Sequence, residues 1–342
     1  MRKIKSIFFL IVLIFSFNSS YADNYNQARP EFFALMDPRD GDTDYKRFLS
    51  LSSVDGIAVR TSWDLLEPQD NRYDWSSIDK PLSIAAEKNK KVTLHIIASS
   101  YSSPPSWLKR QGVKFYNEIN PFHAKRSVKE QAVPWDVTYI KKWEEFLQAL
   151  ASHLRTSGFD KTLSRISIAV PVPEMSLIAC RNGRMSDSVI YSRDHYLWAW
   201  QYSVYAMNTA FPNIIKLVSA PVSEICMPDH DGARFYGDVL SYIRTLGSDK
   251  FQVYAADLNA KGSQRLNGLG SEYRHYPVGF QFIWSFSNDP RNRFDGKLSD
   301  AICSASKNYG ANYFEVYKDD ILNPDPTVQS ALGLIHQPEN CQ

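Results

Sequence analysis

The chain of 342 residues has almost no net charge, with 39 Lys and Arg against 37 Asp and Glu. A surface built to hold a polyanion carries a clear basic excess, so this balance argues against nucleic acid as a partner. Nor does any apolar run reach the roughly 20 residues that span a bilayer as a helix. The longest, Ile7 to Phe17, follows Arg2, Lys3 and Lys5 and precedes the small-x-small triplet Ser20-Tyr21-Ala22. That order is the order of a cleavable export signal. Residues 1–22 are therefore expected to be a signal peptide. Residues 23–342 are then an exported domain, periplasmic or extracellular, with no membrane insertion once the signal is removed. Without the three basic residues of the signal, 36 basic and 37 acidic residues remain.

Other absences narrow the chemistry. Gly-x-Gly-x-x-Gly and the Walker P-loop are missing, which removes two common phosphate-cradling turns. Cys-x-x-Cys is missing too, as is a His pair at helical ligand spacing, so no metal site and no cofactor is expected. There are only four cysteines, at positions 180, 226, 303 and 341. An even number in an oxidising compartment reads as disulfides, and three pairings are possible. We favour Cys180 with Cys226, each a few residues past a candidate strand in consecutive units, and Cys303 with Cys341, which would pin the C-terminal tail.

What the chain does have is core material, 44% hydrophobic and 13% aromatic, enough for one large domain. Strand-like runs occur at Phe32 to Met36, Gly56 to Arg60, Val92 to Ala98, Ile166 to Val170, Ile214 to Ser219, Phe251 to Ala255, Val278 to Ile283 and Asn312 to Val316. Helical patterns fall between them, the clearest over Val137 to Arg155, where Ile140, Trp143, Phe146, Leu147, Leu150, Ala151 and Leu154 recur at helical spacing. Shorter ones run over Ile78 to Ala86, His195 to Ala210, Arg234 to Leu246 and Leu298 to Lys307. Six to eight helices are expected, with the weakest patterns in the first and sixth connections. Eight strands with interleaved helices predict a single-domain α/β fold, a (β/α)₈ TIM barrel, rather than a doubly wound sheet.

In that architecture chemistry sits at the C-terminal ends of the strands. The polar residues there include Asp37, Arg60, His95, Glu174, Glu224, Asp257, Gln281 and Glu315. Glu174 ends the run Ile166-Ser-Ile-Ala-Val-Pro-Val-Pro-Glu174. Among aromatic walls its pKa could rise by desolvation and let it donate a proton, and a turn-capping carboxylate is the plainer alternative. Glu315, in Tyr313-Phe-Glu-Val-Tyr317, could face the barrel mouth with Tyr313 and Tyr317, or be an ion-paired barrel residue opposite Arg60. Arg60 keeps its proton and would orient a carboxylate or a sugar hydroxyl. His95 is either a satisfied core histidine or a ligand contact. Trp63 and Trp284 lie in strand-end loops, where rings suit sugar faces or serve as anchors, whereas Trp143, Trp198 and Trp200 lie in helices and are expected to pack.

The run Asp55-Gly-Ile-Ala-Val-Arg-Thr-Ser-Trp-Asp-Leu-Leu-Glu-Pro-Gln69, then Tyr73-Asp-Trp75, resembles the second-strand region of clan A glycoside hydrolases. Val92 to Ile97 and Ser103-Pro-Pro-Ser-Trp107 resemble their third strand and the loop after it. The resemblance implies a pair of glutamates, an acid/base ending strand four and a nucleophile ending strand seven. Glu174 matches the first, although Pro173 stands where the family has Asn. Strand seven carries Gln281 and no Glu, and an amide cannot form the glycosyl ester. Glu315 on the adjacent strand is the first substitute, and Asp289 a further one.

The reading is thus an exported glycoside hydrolase acting on an oligosaccharide or polysaccharide. Glu174 and Glu315 are its catalytic candidates, and Arg60, Trp63, His95, Asp257, Gln281 and Trp284 its substrate-binding candidates. The alternative is an inactive barrel that binds carbohydrate or a cell-surface partner.

Overall fold

The computed structural model describes residues 29–98, 104–117, 130–168, 184–186, 189–220 and 232–341. Eight parallel strands close a barrel. They are β1 (Glu31–Leu35), β2 (Gly56–Ser62), β3 (Lys91–Ile97), β4 (Leu163–Ser167), β5 (Ile215–Ser219), β6 (Phe251–Leu258), β7 (Val278–Phe282) and β8 (Ala311–Tyr317). Each strand pairs with its neighbours in chain order, and β8 closes on β1 with Phe33 opposite Glu315. All eight predicted strands are present. The fourth begins three residues earlier than the sequence suggests, and the sixth runs on to Leu258.

Around the barrel lie α1 (Asp42–Leu49), α2 (Ser76–Glu87), α3 (Val137–Ser157), α4 (Arg193–Ala210), α5 (Gly232–Thr245), α6 (Leu298–Tyr309) and α7 (Pro326–Gly333). The weak first pattern is a real two-turn helix. The sixth connection holds only the turns Gln264–Asn267 and Glu272–His275. Helix α3 shows how the pattern becomes structure. Asp136 caps its first turn by accepting from the Tyr139 N–H, Gly158 ends it at φ 74°, and its apolar stripe is buried against the strands.

The barrel interior follows from strand parity, in which alternate residues face inward. Phe33, Leu217, Tyr254, Ala256 and Tyr313 form its apolar cluster. Two glycines make room for the rings. A Cβ on Gly279 would lie 2.8 Å from the Tyr313 ring, and one on Gly56 would lie 2.5 Å from the Phe33 ring. Below this layer Arg165 stacks over Tyr313, 4.1 Å from the ring centre, donates to Gln252 at 2.9 Å and pairs with Glu31. These polar groups partner one another on the wall of a 330 Å³ cavity at that end of the barrel.

The Cys303–Cys341 disulfide forms as expected. Cys180 and Cys226 lie outside the described residues. No helix among the described residues is long and apolar enough to cross a membrane.

Candidate functional site

At the opposite, C-terminal end of the barrel the inward positions turn polar. Register places Arg60 beside His95 across β2 and β3, and Gln281 beside Glu315 across β7 and β8. Glu315 is wholly buried. Its Oε1 lies 2.7 Å from His95 Nε2 and accepts from the Tyr313 hydroxyl at 2.6 Å, while Oε2 accepts from the Tyr254 hydroxyl at 2.8 Å. The Tyr313 oxygen also sits 2.8 Å from Thr93 Oγ1, whose hydroxyl can donate to it. Burial, then the Glu315 charge beside it, pushes the Tyr313 phenol well above its ordinary range, so it remains a donor.

Glu315 therefore does face inward in the company of Tyr313, and it bonds His95. With donors on both oxygens and no exposed surface, it is placed to fix its neighbours, and the sequence expectation of a catalytic role meets an enclosed carboxylate here.

Gln281 lies nearer the mouth and is also buried. Arg60 donates to its Oε1, and the Tyr254 oxygen lies 3.4 Å from the same atom. Because guanidinium only donates, Oε1 must be the oxygen, which leaves Nε2 to donate to the Tyr317 hydroxyl at 3.2 Å and the Phe282 carbonyl at 3.3 Å. Gln281 thus joins Arg60 to Tyr317 from within the barrel. Arg60 and Tyr317 face a cavity of 440 Å³, whose walls also include Asp37, Asp40, Lys318 and Asp319. The Arg39 guanidinium holds the Asp37 carboxyl below its usual range, and Lys318 pairs with Asp40.

Trp284 stands on the same rim, 5.9 Å from Tyr317 between ring centres and 37% exposed. Its Nε1 donates to the Asn288 carbonyl at 2.7 Å, and the Arg293 guanidinium covers the ring at 3.9 Å. Its loop hangs from Asp320, which accepts from Ser285 Oγ at 3.0 Å and from the N–H groups of Phe286 and Ser287 at 3.0 and 2.6 Å. Trp284 and these joined residues thus share one end of the barrel, as the sequence analysis expected.

Three other candidates are placed elsewhere. Trp63 begins the short turn after β2 and is fully buried in the layer between barrel and helices. Its ring contacts Trp107, Tyr139, Trp143 and Phe146, and its Nε1 donates to Glu67 at 2.8 Å. The expectation of substrate binding is corrected: Trp63 is a packing residue. Glu67 holds Asn71 as well, and its own carbonyl accepts from Trp107 Nε1, so the motif that carries the resemblance is a buttress between β2 and α3. Asp257 lies beyond the irregularity between Ala255 and Leu258 in β6. Both its oxygens hold its own loop, from Ser263 Oγ at 2.6 Å and the Arg265 N–H at 3.0 Å. Asp289 likewise accepts from the Phe294 and Arg291 N–H groups. Glu174 and Glu224 lie outside the described residues.

The sequence analysis missed Tyr254 and Asp320. Tyr254 shares the inward parity of Gln252 and Ala256, a signal it could have used. Asp320 lies past the strand end, where parity no longer applies. Among the described residues no group of three or more His, Cys, Asp and Glu side chains could hold a metal ion.

Comparison with known proteins agrees with this architecture. Residues 37–158 match the Glyco_hydro_42 family model, described as beta-galactosidase. The catalytic domain of beta-amylase from Paenibacillus polymyxa superposes with a TM-score of 0.61 at 11% identity, over 92% of this chain and 100% of that one. Native xylanase 10B from Thermotoga maritima superposes with a TM-score of 0.56 at 9% identity, over 93% of this chain and 97% of that one. No curated protein matches the chain.

Proposed function

Taking the chain as a clan A glycoside hydrolase-like (β/α)₈ barrel, whose family match and fold support a glycosidase-type function, we propose that it is an exported glycosidase acting on an oligosaccharide or polysaccharide. The observation that carries this reading is the joined set of Arg60, Gln281 and Tyr317, with Arg60 and Tyr317 facing a rim cavity and Trp284 beside Tyr317. Such a mouth offers directed donors and acceptors for sugar hydroxyls and an aromatic edge for a sugar ring.

Glu174 is the proton donor to the leaving oxygen. Since the Gln281 amide cannot form a glycosyl ester and Glu315 is enclosed, water is the proposed nucleophile, and its attack inverts the anomeric centre. Asp37 and Asp319, both on the cavity wall, are the candidates to take its proton. Glu315 and Tyr254 act indirectly, by holding His95 and Gln281 in place.

A panel of chromogenic glycosides and polysaccharides tests the proposal, with product anomers followed by NMR. Wild type should cleave at least one with inversion, and Glu174→Gln should lose about 10²–10⁴-fold in kcat. Asp37→Asn and Asp319→Asn separate the two candidate bases. Retention of configuration would overturn the single-displacement route. Export is checked by the mature N-terminus, which should begin at Asp23.

A second reading, carbohydrate binding without cleavage, is favoured by Gln281 itself. Binding of a glycan with no hydrolysis by wild type would select it.

A further inference from the structure

Helix α4 buries one face, including Tyr196, Ala199, Trp200, Val204 and Met207, against the rest of the molecule. Its outer face is unusual. A solvated helix surface normally carries charge, yet His195 to Ala210 contains no Lys, Arg, Asp or Glu. In their place stand Trp198, Tyr202 and Tyr205, at the spacing that puts side chains on one stripe. Trp198 is 38% and Tyr205 46% exposed, so the expectation that Trp198 packs is corrected here.

The three rings form a ladder. Trp198 lies 5.7 Å from Tyr202, and Tyr202 lies 6.4 Å from Tyr205, between ring centres. The middle ring is fixed, because the Tyr202 hydroxyl donates to Glu144 on α3 at 2.6 Å. From Trp198 to Tyr205 the helix rises about 10 Å.

We infer that this stripe on the outer face of α4 is a second carbohydrate-binding site, one that holds a stretch of neutral, linear polysaccharide away from the barrel mouth. The inference rests on the carbohydrate reading proposed above. The ladder suits that occupant in two ways. The exposed Trp198 and Tyr205 rings, tilted against Tyr202 by 43° and 60°, can each take the apolar face of a sugar, and the Tyr205 hydroxyl can bond to sugar hydroxyls while Glu144 holds Tyr202. A second protein chain fits it poorly, since stable association buries about 800 Å² per partner and three partly covered rings offer far less.

Affinity electrophoresis through gels containing xylan, barley β-glucan, soluble starch or galactan tests the site. Wild type should be retarded by one of them, and the Trp198→Ala/Tyr205→Ala variant should bind that polymer about tenfold more weakly, with Trp198→Phe largely preserving binding. Cleavage of a small aryl glycoside and the unfolding temperature should be unchanged in the variant. Equal retardation of variant and wild type would overturn the inference, as would wild type that cleaves polymer but is retarded in no gel. So would a dimer, seen by sedimentation, that the variant abolishes. Retardation lost in the variant, with no hydrolysis by any form, would uphold the site and remove the glycosidase reading instead.

Discussion

At the scale of single residues, the most informative position is Gln281. Its oxygen receives Arg60, a group that would equally serve a carboxylate. In Gln281→Glu the Tyr317 hydroxyl can turn from acceptor to donor, and only the bond to the Phe282 carbonyl is lost. We expect this variant to keep its fold at pH 7 through the Arg60 pair and to lose stability as pH falls below about 4, as thermal unfolding would measure. Lys216 is a second case. It is buried, donates to the Phe211 carbonyl at 3.2 Å, and its burial lowers the ammonium pKa to about 8. The unfolded chain therefore binds more protons than the folded one between about pH 8 and pH 10.5, and stability rises across that window. Lys216→Met should raise stability at pH 7 by about 1–3 kcal/mol, with the advantage shrinking between about pH 8 and pH 10.5, as urea unfolding would measure.

At the scale of elements, the strands were legible because each is a short apolar or alternating run bounded by turn residues. The helix α3 was legible because its stripe is long. Side-chain destinations were less so. Parity told correctly that Glu315 faces inward beside Tyr313, because both lie within an unbroken strand. It failed at Asp257, where the irregularity in β6 breaks the alternation, and at Trp63, which opens a helical turn and swings outward. Asp320 shows the converse, a residue outside any strand that orders a whole loop. Asp320→Ala should leave three donors without their acceptor and cost about 2–4 kcal/mol of stability. If Trp284 contacts the sugar, the same variant should raise KM more than it lowers kcat.

At the scale of the whole molecule, the two ends of the barrel have different duties. The N-terminal end is bound together by the Arg165 cluster beside a cavity of 330 Å³, and the C-terminal end carries the 440 Å³ cavity with Arg60 and Tyr317 on its wall. That N-terminal end also ties the first described residue to the C-terminal segment. Asp55 accepts from the Phe32 N–H at 2.8 Å and bonds His336 at 2.9 Å, and it pairs with Arg29. Burial pushes its pKa up, but the hydrogen bonds from His336 and Phe32 and the charges of His336 and Arg29 outweigh that and hold it below its usual value. A depressed carboxylate contributes stability above its unfolded pKa of about 3.9 and loses it as pH falls through the folded value. Asp55→Asn should thus be less stable than wild type at pH 6, with the gap closing below pH 4 in thermal unfolding.

The pairing of β8 with β1 also sets an order in time. Glu315, which fixes His95, belongs to the last strand, and its neighbour Phe33 belongs to the first. A growing chain emerges from its N-terminus, so no length of it short of Tyr317 can close the ring or give His95 its partner. Until β8 has been made the polypeptide has no complete barrel to fold into, and it stays threadable up to that point.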